Sequence, residues 1–404
     1  MFTRRDAIKA GLACPALGSH LPAAFAAGSF QMKAYLADLD EILRIDSKTG
    51  YAEGVNRVGQ VFRKRFESIG WTVTEYPCGK NGNGIVASNR KDQGKFDIIL
   101  CGHLDTVQPV GNAKRYPLTI QGNFAHGAGV ADDKGSLTAL WWIVRDLPKA
   151  LTDKLRICVM LAPGEEVGDN DHNKMIYDIG RRAKYALVYE PGRPNGAFVK
   201  VRKGCTWMAL DFKGVAAHAG NNPQDGRNAI DAMARAITKV TALARDYKGL
   251  TTNTGTVKGG TAPNTVAADA RVVFDMRFLR NEDRDSVLSR VRSMCEKGFA
   301  DGVRTSLSLP SDLSAMPEID SSRRLMAVVE KAASDLRQPK PEWLVVGGAS
   351  DGNALAQSGV GVVDAMGVCG GNLHNPEKEF LDLRTVEPRI SLGKRVLEVF
   401  AASL

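Results

Sequence analysis

Two stretches of the chain are apolar at consecutive positions, Ile98-Ile99-Leu100 and Ile157-Cys158-Val159-Met160-Leu161. Runs of this kind suit strands whose two faces are both covered by helices, as in a largely parallel sheet. They lie within predicted strands at Phe96–Gly102 and Leu155–Ala162, and Trp71–Tyr76, Gly84–Ser88 and Tyr185–Tyr189 read as three more. Between and before them the period lengthens. A helix is predicted around Tyr35–Ile45, and Val55, Val58, Val61, Phe62, Phe66 and Ile69 recur at helical spacing up to the stop at Gly70. Gly135–Leu147 and Asn173–Ala183 are the next predicted helices.

Near residue 202 the pattern changes. From Trp207 to about Leu309 it reads as strand, helix (Asn228–Tyr247), strand, alternating strand (Ala270–Leu279), helix (Asp283–Lys297) and strand (Val303–Leu309), a two-layer α+β unit. From Ser321 the earlier pattern resumes, with a helix, a Gly347-Gly348 turn, a helix over Asn353–Gln357, a strand Val360–Ala365 and a last helix from about Pro388. The predicted fold is therefore an α/β domain with a mainly parallel sheet and helices on both faces, residues 27–201 and 315–404. A smaller α+β domain, residues 202–314, interrupts it.

Composition narrows the function classes. With 44% hydrophobic and 25% charged residues, the 404-residue chain is near the globular average, which excludes disorder, collagen-like repeats and disulfide scaffolds. Outside the N-terminus no apolar run approaches the roughly twenty residues of a membrane span. The net charge of +9 is spread along the chain without basic clusters interleaved with aromatics, so a nucleic-acid surface is not expected. Arg4-Arg5 ahead of a weakly apolar stretch ending Ala24-Phe25-Ala26 reads as a twin-arginine export signal over residues 1–26, giving a periplasmic or secreted protein. Cleavage after Ala26 removes three positive charges and one negative, leaving +7. The seven cysteines contain no CxxC pair, and Cys101 and Cys158 are expected as buried free thiols.

The chemistry gathers at strand ends. His103 and Asp105 follow one strand and share a side of an extended chain, where the carboxylate can fix the tautomer of a metal-bound imidazole. Asp132-Asp133 lies in a loop, Glu165-Glu166 follows the strand ending at Ala162, and Glu190 closes the strand from Tyr185. The carboxyl ends of strands in an open parallel sheet form the ligand crevice, so these acidic loops converge. Each acid alone could be a helix cap or a solvated turn. Together they repel one another unless a strong cation, such as a divalent metal pair, sits among them.

The segments Gly102-His103-Leu104-Asp105-Thr106-Val107, Ala131-Asp132-Asp133-Lys134-Gly135, Glu165-Glu166, Tyr189-Glu190-Pro191, Ala217-His218-Ala219-Gly220 and Gly371-Asn372-Leu373-His374 resemble, in order and spacing, the di-zinc family of glutamate carboxypeptidase, acetylornithine deacetylase and succinyl-diaminopimelate desuccinylase. The resemblance runs from about Tyr35 to the C-terminus and is closest to the glutamate carboxypeptidase branch, because Glu190 is Glu. It implies two zinc ions per subunit, with Asp132 bridging them, His103 and Glu190 completing one and Glu166 and His374 the other. It implies Glu165 as general base and acid, Asp105 orienting His103, and Asn264 and Arg277 facing the substrate. It further implies a homodimer formed through the inserted domain, in which His218 reaches the neighbouring site. The implied reaction is hydrolysis of a peptide or N-acyl amino acid to release a C-terminal amino acid. An acetylornithine-type deacylase and a metal-binding relative without turnover are the alternatives.

The chain also departs from that pattern. Thr305 to Ser322 hold no Lys or Arg, so the further basic residue of glutamate carboxypeptidases has no counterpart there. Val167-Gly168-Asp169-Asn170-Asp171-His172 replaces a small, serine-rich run, and His172 and His126 read as solvent-exposed loop residues. Gly347-Gly348-Ala349-Ser350-Asp351-Gly352 lacks the ending of a phosphate loop and reads as a turn and helix start lining the pocket.

Overall fold

A computed structural model describes residues 30–404 apart from Gln93, so the export segment lies outside the described residues. The chain divides into two compact units. One runs up to Lys200 and takes in Glu318–Leu344 and Ser350–Leu404, and the other comprises Val201–Pro317 with Val345–Ala349.

The first unit is built on a six-stranded sheet in the order Thr72–Pro77, Asn83–Ser88, Ile157–Ala162, Ile98–His103, Tyr185–Val188, Gly361–Val363. Ile98–His103 is parallel to both of its neighbours, and Gly361–Val363 is parallel to Tyr185–Val188. The two N-terminal strands join antiparallel at one edge. Every residue of the two central strands is buried, which accounts for their unbroken apolar sequence. Helices Met32–Leu43, Ala52–Ser68 and Ser136–Val144 contribute Leu39, Phe62, Phe66, Leu140 and Trp141 to the core over this sheet. Phe66 stacks on Trp71 and meets the edge of Trp141. Each such side chain, fully buried, contributes about 1.5–3 kcal/mol.

A second, antiparallel sheet joins Thr119–Gln121, Phe124–His126, Phe380–Asp382 and Gly370–Gly371. Its strands are two or three residues long, too short for periodicity to reveal. The helix expected from Gly135 starts at Ser136, after a wide turn Val130–Gly135 in which Asp132 has extended dihedrals, φ −114° and ψ 91°.

The other unit is a four-stranded antiparallel sheet in the order Thr251–Gly259, Asp269–Phe278, Gly204–Lys213, Arg304–Leu313. Alternate residues Met208, Leu210, Phe212, Val272, Phe274 and Met276 point to one face, where helices Ala229–Leu243 and Asn281–Lys297 cover them with Ala232, Ala236, Val240, Val287 and Val291. The Asn228 side chain caps the first of these helices by accepting the N–H groups of Ile230 and Asp231. Among the described residues, no helix is long and apolar enough to cross a membrane.

Candidate metal centre

Because the central strands run parallel, their C-terminal ends deliver His103, Glu165-Glu166 and Glu190 to one edge of the sheet. The wide turn adds Asp132, and the loop after Gly370–Gly371 adds His374. Two triads result, His103 with Asp132 and Glu190, and Asp132 with Glu166 and His374, each with its ligand atoms within 4.8 Å of one another. Asp132 belongs to both. Its Oδ1 lies 3.1 Å from His103 Nε2 and its Oδ2 lies 3.3 Å from His374 Nε2. Glu190 stands 3.7 Å from His103 Nε2, and Glu166 stands 3.5 Å from His374 Nε2. His374 itself has a left-handed backbone, φ 68°, rare for a residue with a Cβ and typical of side chains held for a task.

The supporting contacts fix these groups. His103 Nδ1 faces the Asp105 carbonyl at 3.0 Å and its carboxylate at 3.4 Å, which turns Nε2 toward Asp132. Asp105 is fully buried; it also accepts the Thr49 hydroxyl at 2.6 Å and the backbone N–H of Glu165 at 3.1 Å. Asp133 accepts the His103 N–H at 3.2 Å, and the Asp132–Asp133 peptide is cis.

Glu379 is a residue that motif reading misses. Its buried carboxylate accepts the backbone N–H groups of Gly129, Ala131 and Asp132 at 3.2, 2.9 and 3.1 Å, and so cradles the turn that presents Asp132. From the other side Lys134 Nζ donates to the Ile45 carbonyl at 2.7 Å, its pKa pushed down to about 8 by burial.

Electrostatics divides the acids. Burial opposes ionisation of Asp132, but the two imidazoles outweigh it and hold its carboxyl below the usual range. Burial, reinforced by Asp132, pushes Glu166 up to about 7. Burial and then Glu190 raise Glu165 well above an ordinary glutamate, the direction a general base near neutral pH requires. Hydrogen bonding to Asp132 raises His374 to about 9. His103 is pulled down by burial but lifted well above the ordinary value by Asp105 and Asp132.

Divalent cations fit this donor set. Glu166 Oε1 is buried without a hydrogen-bond partner, and no Lys or Arg pairs with Asp132 or Glu166 among the described residues. All the donors are nitrogen or oxygen, the set suited to catalytic zinc.

The three remaining expected residues, His218, Asn264 and Arg277, lie in the other unit. His218 and Asn264 sit on paired segments, His218 bridging to Thr265 and Ala219 N–H donating to the Asn264 carbonyl at 3.0 Å. His218 is exposed, and its Nδ1 accepts the N–H groups of Gly220 and Asn221, both at 3.1 Å, which leaves Nε2 to carry the proton of the neutral ring. Arg277, expected to face the substrate, stands near the end of an alternating strand. Its Nε and Nη2 donate to Asp275 at 2.8 and 3.1 Å, because residues two apart on a strand share a face.

Two histidines correct the sequence reading. His172 is 1% exposed, with Nε2 2.6 Å from Asp351. Asp169 caps the helix Asn170–Gly180 by accepting the His172 N–H, which starts the helix earlier than predicted and turns His172 inward. His126 is half-buried on the strand Phe124–His126, its Nδ1 2.9 Å from the Glu379 carbonyl. Cys101 and Cys158 are buried free thiols, as expected.

Comparison with known proteins agrees with this architecture. Residues 201–303 match the M20 peptidase dimerisation domain. Carboxypeptidase G2 of Pseudomonas sp. is 25% identical over 92% of this chain and 91% of its own. Succinyl-diaminopimelate desuccinylase of Hahella chejuensis is 24% identical over 89% of this chain and 94% of its own. The crystal structure of aminopeptidase PepT from Bacillus cereus superposes with a TM-score of 0.76 at 23% identity, covering 93% of this chain and 100% of that one. Residues 201–303 thus carry an M20 peptidase dimerisation domain, and along nearly its whole length the chain is homologous to carboxypeptidase G2 and succinyl-diaminopimelate desuccinylase and shares the fold of M20 metallopeptidases.

Proposed function

We propose that this protein is a di-zinc exopeptidase of carboxypeptidase type that hydrolyses the amide bond of a small peptide or N-acyl amino acid and releases the C-terminal amino acid. The observation that carries the reading is the pair of His/carboxylate triads sharing Asp132, with Glu165 adjacent in sequence to the ligand Glu166. In this assignment His103, Asp132 and Glu190 hold one zinc and Asp132, Glu166 and His374 the other. The ions would supply Lewis acidity toward the scissile carbonyl and a water that loses its proton near neutral pH. Glu165 accepts that proton and returns it to the leaving amine nitrogen. Asp105 holds both the His103 ring and the Glu165 backbone in register. His218 of one protomer donates its Nε2–H to the oxyanion in its partner's site, where one good donor is worth about 3–4 kcal/mol. Asn264 and Arg277 contact the substrate, Arg277 exchanging Asp275 for a terminal carboxylate.

A substrate panel tests this, varying the C-terminal residue at fixed acyl group, with free-acid and amidated forms, on wild type and Arg277→Ala. The proposal expects free acids to be preferred by roughly thirty- to a hundredfold in kcat/KM, with the preference lost in the variant. Equal rates on free-acid and amidated substrates in wild type contradict it. The relationship to succinyl-diaminopimelate desuccinylase favours a second reading, an N-acyl-amino-acid deacylase, which the acyl-group axis of the same panel separates from the first. We propose export by the twin-arginine route to the periplasm, where Arg4→Lys with Arg5→Lys should trap the precursor inside the cell. Mature protein in the periplasm despite that change would mean another route.

A further inference from the structure

Arg389, on the C-terminal helix Val386–Ala402, is only 6% exposed, yet no carboxylate lies within ion-pair distance of it among the described residues. Its guanidinium donates to the carbonyls of Gly196 at 2.8 Å and Ala365 at 3.3 Å, approaches Cys369 Sγ at 3.6 Å, and lies 4.0 Å over the Phe198 ring. None of these groups is a carboxylate. Buried charges are ordinarily paired, because neutral dipoles and an aromatic face offset only part of the cost of removing a cation from water.

Beside Arg389 lies a cavity of about 260 Å³, lined by this residue together with Phe198, Ala333, Pro341, Pro388 and Leu392. None of the candidate metal ligands lines it. Phe198 is backed by the Trp343 ring at 5.5 Å, so the aromatic wall is held in place. On the rim stands Lys340, exposed and with no ion pair or hydrogen bond among the described residues. The rim acid, Glu342, accepts the Asn195 side-chain amide at 3.2 Å. The cavity thus offers an apolar body, an unpaired guanidinium and a second cation at its entrance, and its volume falls just below that of drug-sized ligand sites, which suits a small molecule.

We infer that this cavity binds a small monocarboxylate with an apolar body, its carboxylate on the Arg389 guanidinium and its ring or branched chain against Phe198, Pro388 and Leu392. The site lies outside the metal centre, and its occupation does not depend on the assigned reaction. Arg389 supplies the charge pairing, Lys340 draws the anion in, and a neutral molecule of the same shape gains only the apolar contact.

Calorimetric titration of benzoate into the zinc-loaded full-length protein, with benzamide as the neutral counterpart, tests this. The expected result is a dissociation constant on the order of 1 mM or below for benzoate and binding at least about tenfold weaker for benzamide. Arg389→Met should abolish benzoate binding, and Lys340→Gln should weaken it about two- to threefold. His374→Ala, which alters the metal centre, should leave it unchanged. No saturable benzoate binding, equal binding of benzamide, or binding that survives Arg389→Met but is lost in His374→Ala would overturn the inference. If Arg389→Met fails to fold, the benzoate-to-benzamide ratio and Lys340→Gln decide in its place.

Discussion

The carboxylate of Asp105 accepts the backbone N–H of Glu165 at 3.1 Å while the same oxygen lies 3.4 Å from His103 Nδ1. One buried side chain therefore sets the orientation of a candidate ligand and the position of the candidate base. Asp105→Ala should lower metal affinity about 10–100-fold, the usual cost of losing the partner of a ligating histidine, and should lower kcat further than metal loss accounts for. Asp105→Asn keeps an acceptor for the Glu165 N–H and should fall between the two. Chelator competition and kcat at saturating zinc measure the two effects, and unchanged values for both in Asp105→Ala would refute the dual role.

Glu379 should matter to stability through the backbone it holds. Removing its carboxylate strands the three backbone N–H groups of Gly129, Ala131 and Asp132 in a buried site. At about 1–3 kcal/mol for each buried donor left unpaired, Glu379→Ala should destabilise the protein by at least about 2–3 kcal/mol. It should weaken metal binding as well, since the turn carries Asp132. Denaturant unfolding at saturating zinc measures the first effect, and a change within about 0.5 kcal/mol would contradict the cradle.

The pH dependence of metal uptake follows from the histidines. His374 is raised to about 9 by its hydrogen bond to Asp132, and Asp105 and Asp132 raise His103 as well, so each imidazole holds its proton more tightly than a free one and a metal must displace it. Glu166, raised to about 7 by burial, adds to the protons that metal displaces. Metal affinity should therefore rise as pH increases from 6 toward about 9 and flatten above it, with protons released to the buffer. Calorimetry in buffers of different ionisation enthalpy counts those protons at pH 7. Affinity that falls as pH rises over this range would show the signs to be wrong.

The strand-end residues were legible in sequence because chain geometry alone carries them. Consecutive apolar residues such as Ile98-Ile99-Leu100 fix a buried parallel strand, and whatever follows its C-terminal end meets the crevice. That logic reaches His103, Glu165, Glu166 and Glu190, and the alternating strand before Arg277 reveals the second unit equally well. Glu379 was not legible, since Asn375-Pro376-Glu377-Lys378-Glu379 has the composition of a solvated loop and only the short antiparallel sheet turns it inward. His172 was hidden for a similar reason. Its burial depends on the cap at Asp169 and on Asp351, which lies far away in sequence. The pairing of Arg277 with Asp275 was present in the two-residue spacing and is a matter of strand geometry.

Assembly gives a separate test. The exposed edge strand Thr251–Gly259 belongs to the matched dimerisation domain, and the protein is expected to sediment as a homodimer at working concentration. His218→Ala should leave metal content intact and lower kcat by about 10²–10³, because the lost donor acts only as charge develops on the carbonyl oxygen. A fully active monomer would contradict the role of His218 across the dimer.

Amide hydrolysis by Glu165→Ala beside wild type, with metal content measured on the same samples, separates the base from the metal ligands. Glu165 is not one of the five assigned ligands, so the variant should keep two bound zinc ions while turnover falls by at least about 10²–10⁴. Wild-type rates in a fully loaded Glu165→Ala protein would contradict it.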